Sequence, residues 1–145
     1  MYVREVLAVK RGGEIHSIAP QASVEEAVHR MVDLDIGSLV VLQDQDMVGL
    51  ITERDILRGL RARGCALEGV RVGALMERQP VIVAPDDSVD YARDVMTKSR
   101  ISHVVVLDGK QLMGVISFHD VARACLKEAN FENSLLKRYI RHWPE

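Results

Sequence analysis

The chain has 145 residues, 48% of them apolar, with 19 basic and 21 acidic side chains and a formal net charge of −2. That balance supplies no field that would draw the chain onto nucleic acid or an anionic membrane, so any anion it binds must be caught locally. A chain of this length buries roughly two-thirds of its unfolded surface, whereas a unit of about fifty residues would be marginal alone.

No apolar run approaches the roughly twenty residues of a membrane helix, and residues 1–10 lack a signal-peptide pattern, so a soluble, cytoplasmic protein is expected. Cys65 and Cys125 are isolated thiols that suit a reducing compartment better than a disulfide framework.

Val3, Val6, Leu7 and Lys10 recur at helical spacing until Arg11-Gly12-Gly13, which predicts a short amphipathic helix over residues 1–11, a packing arm. Glu14 to Ile18 reads as a strand, and Pro20 as a turn. Ser23 with Glu26 three positions on forms a capping box for a helix whose Val24, Ala27, Val28 and Met31 face a core. That helix ends near Asp35. Ser38 to Leu42 and Met47 to Ile51 read as a hairpin around Gln43-Asp44-Gln45-Asp46. From Thr52 a helix runs through Ile56, Leu57 and Leu60 to Gly64, and residues 65–79 form a connector with one helical turn at Val72 to Met76.

The same order then returns. Val81 to Val83 is a strand, Ser88 to Ser99 a helix with Val89, Ala92, Val95 and Met96 inward, and Ser102 to Leu107 with Gln111 to Ile116 a hairpin around Asp108-Gly109. A shift of 65 positions pairs Pro20 with Pro85, Ser23 with Ser88, Met31 with Met96, Gly49 with Gly114, Asp55 with Asp120 and Arg58 with Arg123, with no insertion between. The chain is thus read as α+β (α/β), with two β-α-β-β-α repeats over residues 12–64 and 80–128 that share a core, and extra terminal helices. The closing helix is expected to run from Ser117 to Glu128. A helical tail over residues 129–145 follows, in which Asn133 or Ser134 caps a separate helix with Leu135, Leu136, Tyr139 and Ile140 on one face. The end Arg141-His142-Trp143-Pro144-Glu145 carries the only tryptophan and is expected to pack on this chain or across a dimer.

The repeated junctions, Gly49-Leu50-Ile51-Thr52-Glu53-Arg54-Asp55 and Gly114-Val115-Ile116-Ser117-Phe118-His119-Asp120, each lead a strand into a helix N-terminus. Read as structure alone, Thr52 with Asp55 and Ser117 with Asp120 are helix caps, the acid at the third helical position. Capping does not need the glycine three residues before the hydroxyl, which permits close backbone approach. A carboxylate repels phosphate but accepts hydrogen bonds from the vicinal hydroxyls of a ribose, so Asp55 and Asp120 are expected to hold sugar. Thr52 and Ser117 then contact ribose or the first phosphate. Cations for phosphates are Arg54, His119, Lys98, Arg100 and His103, with Arg54 and Arg100 capable of a bidentate grip. No aromatic platform is evident, so a purine is expected between aliphatic side chains and backbone of Ile15, His16, Ser17, Ile36, Gly37 and Ser38, and of Val81, Ile101 and Ser102 in the second copy.

The tandem repeat, the Pro-x-x-Ser-Val opening of each first helix and the two glycine-to-aspartate junctions resemble a pair of cystathionine β-synthase (CBS) domains, a Bateman module, across about residues 12–128. That resemblance implies two repeats packed about a pseudo-twofold axis, clefts for AMP, ADP, ATP, NAD(H) or S-adenosylmethionine, and assembly as a homodimer. By it the ribose-binding acids fall on Asp55 and Asp120, with Thr52 and Ser117 as their hydroxyl partners. Many members carry proline where this chain has Val105.

The five histidines form no His-x-x-x-His pair, and there is no Cys-x-x-Cys, P-loop or dinucleotide fingerprint, so neither catalysis, a catalytic cofactor nor a metal is expected. The leading reading is a regulatory protein that binds an adenine nucleotide and acts on an unidentified protein effector. The alternative is an interaction adaptor whose terminal helices meet a partner and whose clefts are vestigial.

Overall fold

The computed structural model describes residues 1–10 and 14–141, with side chains to residue 138. The stop at Arg11-Gly12-Gly13, the side chains of Tyr139 and Ile140 and the tail from His142 to Glu145 lie outside the described residues. Within them the order is α1 (Val3–Val9), β1 (Ser17–Ile18), α2 (Val24–Leu34), β2 (Ser38–Gln43), β3 (Asp46–Thr52), α3 (Glu53–Ala62), α4 (Val72–Leu75), β4 (Ile82–Val83), α5 (Val89–Ser99), β5 (His103–Asp108), β6 (Gln111–Ser117) and α6 (Phe118–Arg141).

Each repeat builds one three-stranded sheet, in which the short first strand runs parallel to the second and the second pairs antiparallel with the third. Local signals explain the match between the copies. Both hairpins carry an irregularity at the same place, between Val41 and Leu42 and between Val106 and Leu107. The first turn puts Asp44 (φ 52°) and Gln45 (φ 71°) in the left-handed region that a two-residue hairpin demands, and the second uses Gly109 (φ 61°). Helices α2 and α5 both stop at a left-handed residue, Asp35 and Arg100.

Two expectations are corrected. The Ser23 hydroxyl accepts the Glu26 N–H at 3.1 Å, but the Glu26 carboxylate turns to Arg30 at 3.0 Å, so only half of the capping box forms. The second is the closing helix, which continues unbroken as the 24-residue α6 rather than ending near Glu128 and restarting at Asn133 or Ser134. No glycine or proline lies between Phe118 and Arg141, and an asparagine or serine inside a helix costs only about half a kcal/mol.

Each core is completed by a segment that precedes the other repeat in the chain. Val3 and Val6 of α1 are buried among Val83, Val89, Ala92, Met96, Val104, Val106, Ile116 and Val121 of the second repeat. Val70, Val72 and Met76 of the connector are buried among Ile18, Val24, Ala27, Met31, Leu39 and Ile51 of the first. The backbone pairing matches step for step. Val3 and Arg4 donate to the carbonyls of Asp87 and Pro85, as Val72 and Gly73 donate to those of Ala22 and Pro20. Met1 therefore corresponds to Val70 and Leu7 to Met76, a shift of 69 rather than 65, because four more residues separate the arm from its repeat.

This packing also accounts for the two junction glycines. A Cβ on Gly49 would lie 2.7 Å from the Glu77 carbonyl oxygen and 2.8 Å from the Met76 sulfur; one on Gly114 (φ 152°) would lie 3.1 Å from Leu7. The close approach expected at these glycines is made by the chain's own arm and connector. A third apolar cluster, Val40, Leu50 and Val105 with Leu42, Met47, Leu107, Leu112 and Val115 around them, joins the sheets about the pseudo-twofold axis.

Burying a valine completely is worth about 1.5–3 kcal/mol, and Val3 and Val72 are fully buried. Val3→Ala and Val72→Ala should therefore each lower the unfolding free energy by about 1–3 kcal/mol in urea titration. Val9→Ala, on the exposed side of α1, should stay within about 0.5 kcal/mol of the natural chain.

Candidate functional site

Both junctions place their aspartate in the first turn of a helix, and both aspartates cap. The Thr52 N–H and hydroxyl donate to Asp55 Oδ2 at 2.9 and 3.0 Å, while the Asp55 N–H returns to the Thr52 hydroxyl at 3.3 Å. In the second copy the Ser117 N–H donates to Asp120 Oδ2 at 2.8 Å and the Asp120 N–H to the Ser117 hydroxyl at 3.1 Å. Capping uses one carboxylate oxygen. Oδ1 of each aspartate accepts no hydrogen bond among the described residues.

The repeats meet around these helix starts. The Arg54 guanidinium donates across to the Arg100 carbonyl at 3.0 Å, which ties the start of α3 to the end of α5. Within each repeat the first helical N–H is taken by the residue before the second strand: Glu53 donates to Gly37 at 3.1 Å and Phe118 to Ser102 at 2.7 Å. Gly37 is crowded from both repeats, since a Cβ there would run into the Glu53 carboxylate and meet the His103 ring at 3.0 Å. The site thus brings together Gly37, Arg54, Arg100, His103 and Asp120 with two residues the sequence did not single out, Glu53 and Lys10.

Lys10 reaches the second junction from the arm. Its ammonium lies 3.0 Å from Asp120 Oδ2 and donates to the Val115 carbonyl at 2.7 Å. Burial pulls the Asp120 carboxyl up, but the Ser117 N–H, the Lys10 ammonium and the Ser117 hydroxyl outweigh it and hold the group below its ordinary value. Burial chiefly, with the Lys10 charge adding to it, pushes His103 from 6.5 down to about 4 against the pull of Asp120. His103 is therefore neutral at pH 7, not one of the expected cations. Under the 69-residue shift the counterpart of Lys10 is Gln79, and Asp55 has no equivalent ion pair among the described residues.

The remaining expected residues are more scattered. The His119 ring lies 2.8 Å from the Arg123 guanidinium on the exposed side of α6. Arg100 serves as the left-handed cap of α5 and offers its carbonyl to Arg54, and Lys98, in the last turn of that helix, makes no hydrogen bond or ion pair among the described residues. Ile36, Val81 and Ile101 pack against the two cores, Ser38 pairs with Thr52 in the first hairpin, and Ile15 is exposed. His16 and Ser17 line a cavity of about 360 Å³ with Arg30, Asp33, Leu34 and Leu39. A second cavity of about 510 Å³ lies at the connector, between Gln21, Gln43, Arg71 and Arg78. The junction aspartates line neither.

No group of three His, Cys, Asp or Glu side chains among the described residues is placed to hold a metal ion. No described helix is long and apolar enough to cross a membrane.

The family model of the CBS domain matches this chain twice, over residues 3–62 and 72–127. CBS domain-containing protein CBSX3, mitochondrial, of Arabidopsis thaliana is 36% identical over 124 residues, which make 82% of this chain and 60% of that protein. This chain thus spans less than two-thirds of that relative. A solved structure of a protein with CBS domains from Burkholderia ambifaria superposes with a TM-score of 0.83 at 30% identity, over 88% of this chain and 95% of that one. CBSX2, solved in complex with AMP, gives a TM-score of 0.72 at 23% identity, over 88% and 98%, a likeness of fold.

The position of His103 sets a pH dependence. The unfolded chain takes up this proton near pH 6.5 and the folded chain only near 4, so between those values the unfolded state binds more protons and stability falls as pH drops. The loss should approach about 3 kcal/mol by pH 4 in denaturant titrations, and His103→Gln should flatten that window. Asp120, whose folded value is depressed, adds stability above its ordinary range that is lost at still lower pH.

Proposed function

The chain belongs to the CBS-domain family as a tandem pair, and on that premise we propose that it is a regulatory protein that binds an adenosine-containing ligand between its repeats. The observation that carries this reading is the divided use of the junction aspartates. One oxygen of Asp55 closes the helix cap, while Oδ1 has no partner among the described residues beside the point where Arg54 spans the repeats. A ribose diol would donate to that carboxylate, with Thr52 and Ser117 beside the sugar at their respective sites. Arg54, Lys98 and Arg100 are the cations for phosphates, and the backbone at Ile36 to Ser38 and at Ile101 and Ser102 is the seat for the base.

The fold lends itself to this use, since CBSX2 holds AMP on it. A ligand that touches both repeats shifts their packing only by the difference in its affinity for the two arrangements. Transmission then passes to a second copy of the chain or to a protein effector, and no catalytic step is invoked. One observation favours the adaptor reading: Leu126, Phe131, Leu135 and Leu136 are exposed along α6.

Thermal unfolding against AMP, ADP, ATP, NAD, NADH and S-adenosylmethionine separates the two. A ligand at a hundred times its dissociation constant adds about 2.7 kcal/mol to the folded state, a rise of several degrees. Asp55→Ala or Asp120→Ala should cut the rise that belongs to its cleft to about half or less, because a lost charge-assisted contact weakens binding about ten- to a hundredfold. If no ligand moves the transition and the variants only melt lower, the aspartates are caps alone and the adaptor reading prevails.

A further inference from the structure

At the end of the first sheet away from the junctions, the cavity of about 510 Å³ beside the connector is lined by Arg71, Arg78, Gln21, Gln43, Val48 and Met76. Gln43 stands five residues along β2 from Ser38, the partner of Thr52, which puts the cavity about 17 Å from the first junction. Each guanidinium is held by one backbone carbonyl: Arg71 donates to that of Gln21 at 2.8 Å and Arg78 to that of Gly73 at 3.4 Å. Neither pairs with a carboxylate among the described residues. An arginine carries five N–H donors, so most of the donors on both are left for another acceptor.

The second repeat fills the equivalent place with its own side chains. Under the shifts of 69 and 65 residues, Gly73 corresponds to Arg4, Arg71 to Tyr2, Gln21 to Asp86 and Gln43 to Asp108. There the Arg4 guanidinium lies 4.4 Å from the centre of the Tyr2 ring and pairs with the Asp86 carboxylate. In the first repeat Gly73 brings no side chain, both acids are replaced by amides, and two arginines line the space. The room and the positive charge are left together.

From this we infer that the connector cavity binds a phosphate monoester with a small apolar body, at a site separate from both junction clefts. A phosphate dianion matches the two guanidinium charges, and its oxygens accept the paired N–H groups of each fork. A carboxylate carries a single charge and neutralises only one of the two arginines. Gln21 and Gln43 offer amide donors where acids, as at Asp86 and Asp108, would repel an anion. Asp44 and Asp46 of the adjoining turn do not line the cavity. Val48 and Met76 give the body of the ester an apolar wall, in a volume within the usual range for small-molecule sites. The site does not depend on the ribose role proposed for Asp55 and Asp120.

The test is calorimetric titration of the natural chain with phenyl phosphate, inorganic phosphate and benzoate at one ionic strength. Phenyl phosphate should bind at one site and more tightly than either of the others. Arg71→Gln, Arg78→Gln and Gln21→Asp should each weaken it about ten- to a hundredfold, and Asp55→Ala and Asp120→Ala should leave it unchanged. Arg78 and Gln21 are exposed, so their variants keep the fold, which thermal unfolding of each checks. No saturable binding of phenyl phosphate, or binding that survives all three substitutions, overturns the inference. Benzoate or inorganic phosphate binding as tightly as phenyl phosphate also overturns it. Binding that is lost in Asp55→Ala or Asp120→Ala puts the phosphate in a junction cleft, which overturns this inference and leaves the nucleotide reading standing.

Discussion

The fold depends on an exchange of apolar segments between its halves. A unit of about fifty residues has too little core to stand alone, and here each repeat takes its missing wall from the stretch of chain that precedes the other. Val3 and Val6 fill the second repeat, and Val70, Val72 and Met76 fill the first. The exchange is fixed by backbone as well as by packing. Leu50 and Glu77 share a reciprocal pair of hydrogen bonds at 2.9 and 2.8 Å, which covers the outer edge of β3. An exposed edge of that kind would otherwise invite pairing with another chain. Neither half can open without stripping the other, so whatever binds between the repeats acts on both.

The same exchange makes the pseudo-twofold axis imperfect. From Pro20 to Arg58 and from Pro85 to Arg123 the copies keep one register, and their helices, hairpins and caps coincide. The exchanged segments keep a different register, because four additional residues separate α1 from the first repeat. At matching places of the exchanged segments stand Lys10 and Gln79, so Asp120 gains a lysine and Asp55 does not. Two junctions with one sequence pattern thus acquire different electrostatics from a difference located elsewhere in the chain.

Capping and the proposed ribose contact do not compete at these junctions. A carboxylate at the third helical position satisfies the strand-end N–H with one oxygen and stays in the first turn, where the helix dipole favours its charge. The same constraint fixes the direction of the other oxygen with little conformational freedom left to lose on binding. Stability and the proposed ribose contact therefore place the same demand on Asp55 and Asp120.

The order of elements up to the closing helix, the register of the repeat and the two capped junctions were legible in the sequence, because each is set by interactions within a few residues; that the closing helix runs on without a break was not. Apolar spacing marks α2 and α5, the turn residues mark the hairpins, and hydroxyl and acid three positions apart mark the helix starts. The need for Gly49 and Gly114 was visible too, but its cause was not: the approaching atoms belong to Met76, Glu77 and Leu7, distant in sequence. Lys10 looked like the polar end of an amphipathic helix, and His103 like an ordinary cation. Only the tertiary structure decided that the arm closes the second repeat, that Lys10 pairs with Asp120 and that burial keeps His103 neutral. Local spacing encodes hydrogen bonds along the chain, whereas burial and charge pairing depend on which surfaces meet after it folds.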